Sequence, residues 1–333
     1  MRPALQLSHF RGGQSDNESG LRQGFGIDRF RALGMACTAI SVALLAYPVA
    51  LSFAAPQKAA VTVVTHQDVE AYGQTLNGIR QQMPDVAVMD AGNVEGMRTA
   101  FAKGPPALAI AIGSGAASAL EGIAPGQLAL IKSVVLDNDP SGGGVRFKTT
   151  VTIDVPADLL LAKVAQYFPS LRRVGLIRGP MQNDAYIRAF EQAAKRRGMT
   201  LEVVLCEHPR DLVEAFLKLR ARADLVWCPP NPQLYNSATL KPLLVASFTN
   251  RLPILGYSEQ FVQAGALFGG SPDYFEVGRQ TAAVAARVLR NEAVPVREDA
   301  RVFRFSYNQR VARMLGVKAV IPDRPETELT IIR

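Results

Sequence analysis

Three cysteines, three histidines and one tryptophan in 333 residues leave little of the chemistry that short motifs announce. Cys37, Cys206 and Cys228 form no C-x-x-C, and His9, His66 and His208 form no i,i+4 pair. A structural zinc site or haem attachment therefore has no support, and no metal and no cofactor are expected. No G-x-x-x-x-G-K-[ST] is present, which excludes nucleotide hydrolysis by a P-loop, and no G-x-S-x-G marks a nucleophile elbow. Helix-turn-helix, RNP-like and zinc-finger patterns are also missing, so nucleic acid is not an expected partner. The net charge of +8 does not alter this, because the basic residues are dispersed. Their densest runs, Lys195-Arg196-Arg197 and Arg220-Ala221-Arg222, fall at the ends of predicted helices, where cations favour the negative end of the dipole. At 48% hydrophobic residues, without a Gly-X-Y period or heptads, the chain is neither disordered nor fibrous.

An uncharged stretch covers residues 32–55, ALGMACTAISVALLAYPVALSFAA. Arg29 and Arg31 precede it, and Ser52, Ala54 and Ala55 close it before Pro56, the order of a secretory signal peptide. The run also reaches the roughly 20 residues of a membrane anchor, but Pro48 and the small-residue exit favour cleavage. The segment before it is long for an n-region and carries Asp16, Glu18 and Asp28. Cys37 opens the apolar core instead of following it, which argues against lipidation there. Residues 1–55 are thus expected to be a signal peptide or membrane anchor, and the remainder a periplasmic or extracytoplasmic protein.

Beyond that segment, short β-branched runs alternate with helical stretches. Strands are expected at residues 61–65, 86–89, 108–112, 130–136 and 151–153, with helices at 74–82, 94–103 and from Ser114. Residues 156–168 read as a crossover helix. The pattern then restarts: strands at 173–177, 201–205, 225–228 and 254–256, helices at 183–197, 210–222 and 240–250, with Gly198 as a helix stop. Strands alternating with helices argue for parallel sheets covered on both faces. The expected fold class is α/β, two doubly wound parallel-sheet lobes joined by a short hinge at residues 152–156, with ligand-facing loops beyond the carboxyl ends of the strands. Cys206 and Cys228 end the second and third strands of the second unit. In a 2-1-3 strand order they stand about 9–10 Å apart, beyond the roughly 7 Å reach of a disulfide, so two buried free thiols are expected.

The loops after the strands hold the candidate ligand-binding residues. Gly113-Ser114-Gly115-Ala116 opens a helix, and its small side chains let a carboxylate or hydroxyl approach unpaired N–H groups. The dinucleotide fingerprint it partly matches lacks the third glycine, where Ser118 stands. His66 follows the first strand. The loop 137–144, which includes Asp139, reads either as a turn or as a ligand loop. Asn183 and Asp184 serve equally as helix caps or ligand contacts. Pro229-Pro230-Asn231-Pro232 ends a strand rigidly and aims Asn231 at the cleft. Tyr257-Ser258-Glu259 offers a ring, a hydroxyl and a carboxylate. Trp227, inside a strand, reads as core. A Ser114–His66–Asp137 triad has residues at the ends of three strands, but no motif ties them together, and no catalytic residue is assigned.

The segment Gly256-Tyr257-Ser258-Glu259-Gln260-Phe261-Val262-Gln263-Ala264-Gly265-Ala266-Leu267, followed by Pro272-Asp273-Tyr274-Phe275-Glu276-Val277-Gly278-Arg279-Gln280, resembles the ABC-transporter substrate-binding family that includes tryptophan- and tyrosine-binding members. Arg173-Val174-Gly175-Leu176, Pro229-Pro230-Asn231, Asp139-Pro140 and residues 308–316 support the likeness, which spans roughly residues 130–325. The chain departs from the family where Ser141-Gly142-Gly143-Gly144-Val145 shortens a glycine-rich stretch, and at His66-Gln67-Asp68. The resemblance implies a type I periplasmic-binding-protein fold. Residues 56–152 plus about 270–297 would form the first lobe, and 153–269 plus about 298–333 the second. It also carries ligand contacts onto Ser114, Gly115, Asn183, Asp184, Asn231, Ser258 and Asp273. The function it implies is capture of a small polar or amino-acid-like ligand by a monomer and delivery to an ABC permease. A sensor signalling to a membrane receptor and, further off, a hydrolase-like enzyme in the same cleft are the alternatives.

Overall fold

Runs of β-branched and small apolar residues form the centres of two sheets. The computed structural model describes residues 60–333 except 124, 125, 127, 138, 142–145, 181, 183 and 323–326, so the expectations placed on residues 1–55, on Asn183 and on residues 142–145 lie outside the described residues. The chain begins β1 (Val61–Thr65), α1 (Glu70–Gln82), β2 (Ala87–Asp90), α2 (Val94–Lys103), β3 (Leu108–Ile112), α3 (Ser114–Glu121), β4 (Ala129–Val135) and β5 (Arg146–Thr152). It continues with α4 (Ala157–Tyr167), β6 (Arg173–Arg178), α5 (Asp184–Arg196), β7 (Thr200–Leu205), α6 (Leu212–Lys218), β8 (Leu225–Trp227), α7 (Ser237–Asn250), β9 (Ile254–Gly256), α8 (Glu259–Ala264) and β10 (Phe268–Pro272). Last come α9 (Tyr274–Leu289), β11 (Arg297–Asp299), β12 (Phe303–Asn308), α10 (Gln309–Leu315) and β13 (Leu329–Ile332).

One sheet has the order β11-β5-β4-β3-β1-β2, and the other β13-β12-β10-β9-β8-β6-β7. Every pairing is parallel except β10 with β12. The inner strands β1, β3 and β4 are buried along their whole length, as strands covered on both faces must be. The edge strand β7 instead leaves Val203 and Leu205 exposed. Among the described residues, the chain passes between the sheets three times: from β5 to α4, from β10 to α9 and from β11 to β12.

The second of these passages is secured by two glycines. After leaving the second sheet, α9 packs along α1, beside the first sheet. A Cβ on Gly78 would overlap the Phe275 carbonyl oxygen, and one on Gly278 the Thr75 carbonyl oxygen. The backbones therefore touch, and Ser133 on β4 and Thr281 on α9 share a buried hydrogen bond of 2.7 Å beside them. Near the ends of β10 and β12, aromatic rings fill the second sheet's core. Phe268 meets Phe168 edge-on at 5.5 Å and stacks on Phe305 at 5.6 Å.

Several boundaries differ from the sequence reading for local reasons. Pro156 is the N-cap of α4, one step outside the helix. A turn of 3-10 helix at Pro209–Asp211 precedes α6, whose last residue is Lys218. Gly198 adopts φ +64, the left-handed conformation that ends α5. Cys206 and Cys228 are buried free thiols, with β6 lying between their strands. Burial pushes the Cys228 thiol up to about 12.

Two outcomes follow from this packing. Gly78→Ala and Gly278→Ala are each expected to destabilise the fold by about 1–3 kcal/mol through overpacking. Gly73→Ala, on the same helix with no atom within 4 Å of a new Cβ, is expected to be neutral or stabilising. Thermal denaturation of the three variants checks the contrast. Alkylation at about pH 8 followed by peptide mass mapping should leave Cys206 and Cys228 unmodified in folded protein and label both in denaturant, because the thiolate is the reactive form.

Candidate functional site

The strand ends of the first sheet gather a polar surface around the start of α3. Gly113 there has φ +86, and a Cβ on it would overlap the Tyr72 hydroxyl, so glycine is required both for conformation and for space. Ser114 and Gly115 are exposed, and the first-turn N–H groups of Ser114, Gly115 and Ala116 have no intrahelical partner to find. Ala116 has its side chain in the core. His66, at the end of β1, lies beside this turn: its Nε2 would be 2.9 Å from a Cβ on Gly115.

Asp139 reaches the same surface through a buried lysine. Lys132 projects from β4 and donates hydrogen bonds of 2.9 Å to the carbonyls of Asp139 and Ser141. Its Nζ also lies 3.6 Å from the Asp139 carboxylate and 5.5 Å from the centre of the Phe147 ring. The Asp139 carboxylate in turn accepts from the Ser141 N–H and hydroxyl. Burial, then the nearby carboxylates of Asp139 and Asp68, push the Tyr72 hydroxyl up.

Tyrosines carry the surface across to the second sheet. Tyr274 opens α9 at the passage between sheets. Burial, then the proximity of Tyr72 and Tyr257, push its hydroxyl up to about 12. Tyr257, just past β9, packs at 5.5 Å against Phe261 and at 6.1 Å against Tyr235. All three tyrosines on this path are partly exposed and stay neutral, so each offers a hydroxyl donor together with apolar ring area.

The structure thus brings together His66, Ser114, Gly115 and Asp139, and connects them through Tyr72 and Tyr274 to Tyr257. The other candidates have structural work. Asn231, expected to face the cleft, is fully buried: its Oδ1 accepts from the N–H groups of Gln233 and Leu234, holding the turn after β8. Ser258 caps α8 by accepting from the Phe261 N–H at 3.2 Å. Asp273 caps α9 through the N–H groups of Phe275 and Glu276, and Arg304 on β12 pairs with it at 2.6 Å. Asp184 is exposed and pairs with Arg178 at 2.7 Å. Tyr72 and Tyr274 escaped the sequence reading. Each sits in the first turn of a helix at a cleft that only the α1–α9 crossing creates.

A cavity of about 430 Å³ lies between the strand ends of the two sheets, beside the passages. The first passage between sheets supplies Asp154, the end of β11 supplies Asp299, β4 leads into Leu136 and Asp137, and α5 and the β8 loop supply Tyr186 and Pro230. Arg297 pairs there with both Asp137, at 2.5 Å, and Asp299, at 2.6 Å. Asp154 accepts the Asp137 N–H at 2.7 Å, and burial is the largest influence raising its carboxyl above the usual range. Because Asp137 is held by Arg297, its carboxylate does not serve His66. Among the described residues, no hydrogen bond joins His66 to Ser114, and no group of His, Cys, Asp or Glu is placed to hold a metal ion.

Among the described residues, no helix is long and apolar enough to cross a membrane. No curated protein matches the sequence. Solved structures do match in fold. An ABC domain in complex with L-Trp from Streptococcus pneumoniae has a TM-score of 0.58 at 17% identity, covering 82% of this chain and 99% of that one. A substrate binding protein with adhesive properties from Clostridium difficile, in its ligand-free, open form, gives 0.62 at 15%, covering 82% and 98%. A conserved domain protein from Vibrio cholerae gives 0.58 at 17%, covering 82% and 99%. These likenesses establish the type I periplasmic-binding fold. The profile of the ABC transporter substrate binding proteins matches residues 154–323, about half of the chain, and the chain belongs to that family.

Proposed function

We propose that the protein is an extracytoplasmic solute-binding protein that captures a small polar or amino-acid-like ligand between its two sheets and delivers it to an ABC permease. The observation that carries this reading is the continuous polar and aromatic surface from His66, Ser114 and Asp139 through Tyr72 and Tyr274 to Tyr257. It spans two sheets between which the chain makes three short passages, so closure about those passages would enclose a ligand lying on it. The N–H groups opening α3 and the Ser114 hydroxyl supply donors for a carboxylate or hydroxyl. His66 and Asp139 supply polar contacts, and the tyrosine rings supply apolar walls that fix orientation. Binding is the activity this arrangement supports: Asp137 is paired with Arg297, and among the described residues no hydrogen bond joins His66 to Ser114. An uncharged apolar segment at residues 32–55 accords with export.

The reading is tested by thermal denaturation of the purified protein against amino acids and small organic acids. A ligand present at about 100 times its Kd should add about 2.7 kcal/mol to stability, a shift of several degrees. Ser114→Leu and Tyr274→Ala should each weaken a positive ligand at least tenfold, and scattering should show a smaller radius of gyration with ligand. A well-folded protein with no stabilising ligand in a broad panel, or a ligand insensitive to both substitutions, would remove the proposed site.

A further inference from the structure

Arginines that are scattered in the sequence meet at one end of the second sheet. Helices α6 and α7 finish at the amino ends of β8 and β9, opposite the carboxyl ends that carry the cleft loops. Arg173, opening β6, reaches the Asp224 carboxylate at 2.8 Å and the Ala221 carbonyl at 3.2 Å, and Arg220 reaches the Asn250 side chain at 3.2 Å. These bonds bring the start of β6 and the ends of α6 and α7 to one surface. Glu202, Glu214 and Asp224, the acids of β7, α6 and the turn before β8, each already have a cation, in Arg222, Lys218 and Arg173. Arg172, Arg220 and Arg251 are exposed, and among the described residues none of them has a carboxylate within 4.0 Å. A cation at a helix end answers the dipole, but three unmatched arginines leave the face positive.

Helix α7 continues that face without an acid. Its 14 residues, SATLKPLLVASFTN, hold one charge, Lys241, whereas α5, of 13 residues, holds two acids and three bases. Among the exposed positions of α7, Ala238, Pro242 and Val245 are apolar, with Val245 57% exposed. Lys241 is exposed as well, again with no carboxylate within 4.0 Å among the described residues. Beside it, an open groove of about 340 Å³ is lined by Leu240, Leu244, Val245, Phe248 and Ala264, and Lys241 is its one charged residue. The solvent side of a helix is ordinarily polar or charged with both signs. This one is apolar and cationic.

We infer that this face of α7, with the arginines at its end, docks on an anionic phospholipid surface. Arg172, Arg220, Lys241 and Arg251 take headgroup phosphates, and Val245 enters the apolar boundary beneath them. Apolar side chains flanked by Lys and Arg are the combination that a membrane interface receives, and the groove beside Val245 offers apolar room with no acid to repel the headgroups. The family serves membrane transporters, which puts a lipid surface within reach. Because the face lies at the strand ends opposite the cleft, the inference stands or falls separately from any ligand bound there.

A local reporter tests it. Val245→Trp adds a tryptophan to a chain whose only other one, Trp227, is buried, so a blue shift of emission reads this surface and not contacts made elsewhere in the chain. The full-length variant is titrated with vesicles of phosphatidylcholine alone or containing about one third phosphatidylglycerol. A blue shift is expected on the mixed vesicles, with binding about tenfold weaker or worse on phosphatidylcholine alone and lost as salt rises from about 0.1 M to about 1 M. In the same background, Arg220→Gln with Arg251→Gln should weaken binding about tenfold or more, and Lys241→Gln alone about fivefold. Arg98→Gln with Arg210→Gln removes the same charge from exposed arginines on α2 and at the other end of α6, and should change binding by no more than about twofold. Equal shifts on both kinds of vesicle, a loss as large in the Arg98 and Arg210 pair as in the Arg220 and Arg251 pair, or no shift in folded protein would each overturn the inference. A shift given by polyglutamate or duplex DNA and not by the mixed vesicles would assign the face to another polyanion and overturn it too.

Discussion

The close approach of α1 and α9 is the constraint on which the rest of the molecule depends. The helix that follows the second sheet's β10 returns to the first sheet, and it does so at backbone contact, because Gly78 and Gly278 face one another with no side chain between them. Two helices packed through larger side chains stand about 8–10 Å apart. Here the shorter distance has consequences at the start of α9 and at its middle. At its start, Tyr274 is drawn beside Tyr72, which puts two rings from distant parts of the chain at one point of the cleft. Farther along, Thr281 reaches Ser133 in the core of the first sheet, and Gln280 hydrogen-bonds the Asp299 carbonyl near the third passage. One crossing therefore sets the tyrosine path and anchors a segment beside the hinge.

The first sheet's share of the site depends on a different device, a lysine inside the protein. Lys132 is nearly buried, yet its ammonium is satisfied by two carbonyls, an anionic neighbour and an aromatic face. The loop after β4, Asp137-Asn138-Asp139-Pro140-Ser141, has few apolar side chains with which to anchor itself, and Lys132 replaces that packing by holding the main chain of Asp139 and Ser141. A neutral residue at 132 would leave two carbonyls and a carboxylate without their donor, a penalty larger than the net worth of the bonds themselves. Asp139 is thereby fixed near Tyr72, where its charge acts on the phenol.

What the sequence revealed follows from how local each feature is. The strands β1 and β3 were legible because continuous apolar runs such as LAIAI suit positions buried on both faces. The start of α3 was legible from Gly113-Ser114-Gly115. The elements β10, β12 and β13 were not: Phe268-Gly269-Gly270-Ser271-Pro272 has weak strand propensity, and it pairs because its glycines admit Val262 and the Phe305 ring. Site residues divide in the same way. Asn231, Ser258 and Asp273 are residue types that bind ligands and residue types that cap turns and helices, and their position after a strand does not separate the two uses. The hinge-side cavity draws on residues from Leu136 to Asp299, so no window of sequence contains it.

The placement of ion pairs around the passages bears on how the molecule moves. Arg297 ties Asp137, after β4, to Asp299 at the end of β11, so both of its carboxylates belong to the first sheet's side. Arg196 and Arg197 tie Asp158 at the start of α4 to the end of α5, both on the second sheet's side. Each network stiffens its own side right up to the passage, and between them lie only residues 153–156 on this flank. A rotation of one sheet against the other can therefore take place at those few residues without breaking either network. Asp154 is the one carboxylate within that interval, and its single hydrogen bond runs back to the Asp137 N–H. Whatever changes the charge or contacts of Asp154 thus acts within the passage itself, on the bond that ties it to the first sheet's side.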